Sequence, residues 1–555
     1  MKKRCLFTMV IGAIAFCMLA ACGGPVESNK EETIANTEGT AAASDEVSRE
    51  ETLVWTVPVL PPGLDVYYYS TLQAMEVIRN VYDSAIAFPP IKDESGFLIP
   101  DFEHPNTGLA ESYELSEDGK TLTIKLREGV MSHAGNELTA DDFIWERNRQ
   151  TRLIGVDNWQ NDGMGITDPD TQIKKLDKYT FQICLDNPNP IIVPIMSHMA
   201  NHMIDSVEYQ KHEGVEGDED GTKWSNTAGS GYGPYQVESF TAGDSIVLQA
   251  HENYWDKSVP LFFKKVIVKE VPKSANRMAL VLSGDADAAT YLTPKEIKEV
   301  EGKPGVKVLS WKSNLMTRIE FNCTKPPFDD PLVRKALCYA VPYDEILDAV
   351  YLGTASQLRS VIPSSYPGYD GDNFKYKLDY EEARRLLAEA GYPDGFDTVM
   401  EIMTDYAQDE QIAIIVRDSL KNIGVNVTIE KLQSADYWSK GPSKTFKGMY
   451  VFSDMPGVVD GGFSTKLWLQ SGVDSNFSGY HNEEVDLLYN ETTKTTDAEL
   501  RDKNFKRIQE ITVWEDPAWI LLAEPGYHLV VREDIKDLYW QPLQEIRWAN
   551  AYREK

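Results

Sequence analysis

The stretch DYEEARRLLAEAG, residues 379–391, reads as one helix with both ends marked. Asp379 is a residue type that caps a first turn, and Glu382 three places on predicts a capping box. Ala383, Leu386, Leu387 and Ala390 recur at helical spacing as one buried face, and Gly391 supplies the stop. The flanks follow the same grammar. Asp330-Pro331 sets an N-cap before a proline at the first helical position, and Val333, Ala336, Leu337 and Ala340 share the face that follows. Ile412, Ile415, Val416 and Leu420 predict a helix to about Ile423, ended by Gly424; Val425, Val427 and Ile429 then alternate as in a strand. Helix, helix and strand in succession predict an α/β lobe with helices packed on a sheet.

Towards the N-terminus, residues 53–57 (LVWTV) read as a short strand. Leu122 to Arg127 alternates apolar and polar after the turn Glu117-Asp118-Gly119, and a helix opens at Ala140 behind Thr139. The chain has 555 residues, 42% of them hydrophobic, enough for two or three lobes. Its net charge of −32 repels phosphate backbones and disfavours nucleic acid as a partner.

The first residues carry an address. Lys2, Lys3 and Arg4 precede an uncharged apolar run from Leu6 to Leu19, which is short for a membrane-spanning helix. Leu19-Ala20-Ala21-Cys22 resembles the processing site of bacterial lipoproteins, which implies a signal peptide at 1–21 and lipidation of Cys22. Residues 22–52 lack periodic apolar positions, so a flexible acidic tether is expected there. The three cysteines beyond the tether, Cys184, Cys323 and Cys338, are odd in number and contain no CxxC pair, and are read as buried thiols.

A search for reactive motifs yields little. There is no P-loop, no HExxH and no GxSxG. Gly229-Ser-Gly231-Tyr-Gly233-Pro is glycine-rich, but no apolar strand precedes it and proline follows. His198 and His202 stand four apart without a carboxylate or thiol at telling spacing, and Asp285 and Asp287 sit in a turn-like segment. No catalytic residue, metal site or cofactor is expected.

Several blocks, taken in order, resemble family 5 of the bacterial extracellular solute-binding proteins. They are GLAESY (108–113), EDGKTLTIKLREGV (117–130), LTADDF (138–143), GYGPY (231–235), ENYW (252–255), LSGDAD (282–287), PPFDDPLVRKALCYAV (326–341), YEEARRLLAEAGY (380–392) and NFSGYHNEEVD (476–486). The resemblance implies an α/β, two-lobed, type II periplasmic-binding-protein-like fold with a hinge and an extra subdomain. Lobe I would take residues 53–90, 222–315 and 525–555, its subdomain 91–221, and lobe II 316–524. The implied function is a non-enzymatic, lipid-anchored, extracytoplasmic monomer. It would capture peptides between closing lobes and pass them to an ABC permease with its ATPase subunits.

In peptide-binding members, an aspartate in lobe II pairs with the ligand's ammonium. The matching stretch here is VFSDMPGVVDGGF (451–463), with Asp454 as the anchor and Asp460 as the alternative. Gly231, Tyr232, Tyr235 and Trp438 are the expected cleft residues, with Trp468 a further aromatic candidate. The segment Pro58–Asp65 resembles a loop that edges the cleft. An oligosaccharide, nickel or a haem complex on the same fold remains open, as does a lipid-anchored hydrolase.

Overall fold

The computed structural model describes residues 47–67, 71–154, 159–197, 201–404 and 406–555. Cys22, the tether as far as residue 46, and His198 lie outside the described residues. Among the described residues no helix is long and apolar enough to cross a membrane.

The local signals for the second half become helices packed on a six-stranded sheet. Asp330 accepts from Leu332 N and opens the helix Pro331–Tyr339, whose Val333, Ala336 and Leu337 are fully buried. Asp379 likewise caps Tyr380–Glu389, accepting from Glu381 N and Glu382 N. Glu382 does not close a capping box. Its carboxylate pairs with Arg385 on the exposed side of the helix, a stronger partner than a backbone N–H. Ala407–Leu420 runs on through a 3-10 turn to Ile423, and Gly424 stops it at φ 80°, a left-handed position that glycine adopts without strain. The sheet order is Ala355–Gln357, Trp519–Pro525, Met316–Phe321, Met449–Asp454, Asp397–Met403, Asn426–Leu432. Ile319, Phe321, Val451, Ile520 and Leu522 project from one face into the helices' core.

A seven-stranded sheet forms the other lobe. Its order is Tyr235–Thr241, Ser245–Ala250, Lys265–Glu270, Thr52–Val57, Ala288–Ala289, Tyr527–Arg532, Val306–Trp311. Asp287 directly precedes the short strand Ala288–Ala289 of this sheet. Its carboxylate takes Arg49, Arg553 and Val54 N, which ties the first described strand to the C-terminus. A four-stranded sheet, Ala110–Leu115, Thr121–Leu126, Thr180–Cys184 and Ile173–Lys175, carries the helix Ala140–Ile154 and has its own core of Leu122, Ile124, Phe143 and Phe181. Cys338 is buried, whereas Cys184 and Cys323 are only partly so, and all three are free thiols.

The chain passes from the seven-stranded to the six-stranded sheet after Trp311 and returns between Pro525 and Tyr527. Ser313 Oγ donates to Pro525 O at 2.6 Å, so the two crossings are clamped side by side. Val458 and Phe463, from the segment after Asp454, sit in the core of the four-stranded subdomain. That contact holds the lobes together.

Candidate functional site

Strands Asp397–Met403 and Met449–Asp454 run parallel, in register at Met400 with Met449 and Glu401 with Tyr450. Their carboxyl ends therefore lie side by side, the place where open α/β sheets bind ligands. Asp454 is the last residue of its strand and pairs with Met316, the first residue after the crossing from the other lobe. Its carboxyl is half-buried and accepts from Met455 N at 2.8 Å. Burial raises its pKa, while Arg318, the Met455 amide and the Trp468 side chain pull the other way. A desolvated carboxylate with spare acceptor capacity suits a cationic group arriving in a cleft.

Behind Asp454 lies a buried ion pair. Arg318 and Glu320 alternate onto one face of Met316–Phe321, and Arg318 Nε donates to Glu320 Oε1 at 2.8 Å. Tyr450 OH donates to the other Glu320 oxygen at 2.6 Å. The guanidinium carbon lies 4.2 Å from the Trp519 ring centroid, 4.6 Å from Trp468 and 4.7 Å from Phe452. These rings favour the charge through their π faces and exclude water. Arg318 and Glu320 act on Asp454 in opposite directions, the cation favouring its carboxylate and the anion opposing it.

The other expected site residues have structural duties. Asp460 caps the helix Gly461–Leu469, accepting from Gly462 N and Phe463 N, and its second oxygen pairs with Arg501. Tyr232 is fully enclosed in the subdomain core, and Tyr235 in the core of the seven-stranded lobe, its hydroxyl donating to Phe263 O. Gly231 packs where a Cβ would stand 2.3 Å from the Tyr82 ring. The contacts of Gly231, Tyr232 and Tyr235 in this structure are packing contacts. In the Pro58–Asp65 segment, Leu60 and Leu64 join the core, and Asp65 is buried on Arg149 and Ser225. Trp438, 42% exposed, stays open and packs edge-on against Phe452, 5.7 Å between centroids. Trp468 is buried against Arg318.

Arg318, Glu320 and Asp409 were not among the sequence candidates. The first two carry a readable signal, since a cation and an anion two apart in the apolar strand MTRIEF must share a face. Asp409 carries none. It reads as an ordinary first-turn acid. Among the described residues no group of three or more His, Cys, Asp or Glu is placed to hold a metal.

Comparison with known proteins bears on this geometry. Residues 104–476 match the model for bacterial extracellular solute-binding proteins, family 5. The chain is 28% identical over 546 residues to heme-binding protein A of Haemophilus influenzae, covering 94% of each. It is 26% identical over 464 residues to the dipeptide-binding protein of Escherichia coli, covering 80% of this chain and 85% of that one. Its fold superposes, with a TM-score of 0.75 at 22% identity, on the periplasmic binding protein DppA from Helicobacter pylori in complex with the peptide STSA. That match covers 91% of this chain and 98% of the other. These relatives are named for binding, and none of the three for catalysis.

Proposed function

Because the chain belongs to family 5 of the bacterial extracellular solute-binding proteins, we propose that it binds peptides between its lobes and delivers them to an ABC permease. Capture is by binding and closure, with no bond made or broken. The observation that carries the reading is Asp454, a half-buried carboxyl at the carboxyl end of a strand beside the crossing between lobes. A free α-ammonium satisfies it with a charge-assisted bond in a site screened from water. The dipeptide-binding relative and the peptide-bound structural neighbour support the class. The sequence around Cys22 supports anchoring by lipid to the outer face of the cytoplasmic membrane.

Thermal unfolding of the full-length chain in mild detergent tests this. Free tri- and tetrapeptides at about 100 times Kd raise apparent stability by about 2.7 kcal/mol. N-acetylated versions do not, and Asp454→Asn loses the shift. A shift with haem, nickel or an oligosaccharide, and none with any peptide, overturns the peptide reading and leaves the family intact.

A further inference from the structure

Asp409 stands in the first turn of the helix Ala407–Leu420, directly after the strand Asp397–Met403. That strand's carboxyl end lies beside the end of the strand that carries Asp454, by the register already given. Asp409 therefore belongs to the same edge of the lobe. Tyr351 senses the charge of Asp409 and is hydrogen-bonded with Thr317, and Thr317 Oγ1 lies 2.9 Å from the hydroxyl of Ser453, the residue before Asp454.

A first-turn aspartate is ordinarily solvated and complements the helix dipole. This one is 5% exposed. No hydrogen-bond or ion-pair partner for its carboxyl is found among the described residues, and its oxygens are not among the fully enclosed unpartnered atoms. Burial alone raises its pKa, to about 7. Burying a carboxyl without a donor is costly, and here no protein group offsets the cost. Arg318, the cation behind Asp454, gives its Nε to Glu320 and packs its guanidinium against Phe452, Trp468 and Trp519.

We infer that Asp409 is a second cation-binding position in the cleft, taking the ammonium or guanidinium of a basic side chain while Asp454 holds the α-ammonium. The preferred ligands are then short peptides that begin with lysine, ornithine or arginine. The inference rests on the peptide reading of Asp454. The net charge of −32 favours the approach of such dications over long range.

Isothermal titration of the full-length chain with Lys-Ala-Ala, Ala-Ala-Ala and acetyl-Lys-Ala-Ala decides it. The wild type binds Lys-Ala-Ala at least tenfold more tightly than Ala-Ala-Ala. In Asp409→Asn the ratio falls below twofold while Ala-Ala-Ala keeps its affinity, and Asp409→Glu retains a preference. Equal affinity for the two free peptides in the wild type, which needs no variant to fold, overturns the role of Asp409 and leaves the peptide reading standing. Silence towards both free peptides overturns the two together.

Discussion

Arg318 and Glu320 form an ion pair 2.8 Å long with both side chains shut away from solvent, two residues apart on the strand that enters lobe II. Desolvating both charges offsets much of their attraction, so the pair adds little net stability over apolar residues. Removing one partner is different, because it strands the other charge. Arg318→Met or Glu320→Leu alone is expected to cost about 3–5 kcal/mol in urea unfolding. The double substitution recovers most of that loss, and a double loss equal to the sum of the singles would contradict the coupling.

Gly233 meets backbone, not side chain. A Cβ there would stand 2.4 Å from Val81 O and 2.5 Å from its carbonyl carbon. Gly233→Ala is expected to destabilise by about 1–3 kcal/mol or more, since neither segment can yield. Peptide affinity of the folded fraction stays unchanged, which a titration well below the melting temperature checks.

Asp460 separates folding from binding. Asp460→Ala removes an N-cap and leaves Arg501 without its carboxylate. A loss of about 0.5–2 kcal/mol is expected from the cap alone. Peptide Kd should stay within threefold of wild type, whereas Asp454→Asn abolishes binding without a comparable stability loss. A large Kd change in Asp460→Ala would return that residue to the site.

His133 predicts an acid sensitivity. Gly231 N donates to its Nδ1 at 3.2 Å, so Nε2 carries the proton and donates to Gly233 O at 3.1 Å. Burial, with His251 beside it, lowers its pKa to about 3. Its contribution is complete above the unfolded value near 6.5, where both states are neutral. As pH falls towards 3 the unfolded chain takes up a proton the folded one refuses, so stability declines by at most about 1.4 kcal/mol per pH unit. His251 is shifted in the same direction by burial and adds to the effect. Urea midpoints at pH 7, 6 and 5 should show a shallower slope in His133→Gln than in wild type.

Much of the local structure was written in residues that act over one turn. Asp330-Pro331, Asp379 and Gly424 set helix ends because caps and left-handed stops depend on neighbours three or four places away. The ordered blocks around Asp454 single it out as the proposed anchor, and the structure places it at the end of its strand. The spacing of Glu382 does not reveal its partner, because Arg385, three residues along the helix surface, competes with the box and spacing alone does not rank the two.

The sequence by itself determined the helices with their caps, the alternating strands and the family, because those are carried by short-range chemistry and by blocks in a fixed order. Only the tertiary structure decided which polar and aromatic residues remain available to a ligand. Tyr232 and Tyr235 are consumed in cores, and Asp460 is spent on a helix end and Arg501. Asp409, 45 places before Asp454 in the chain, is left buried after the neighbouring strand with no partner among the described residues. Availability is what packing leaves over, and packing brings together residues whose distance along the chain says nothing of their distance in space.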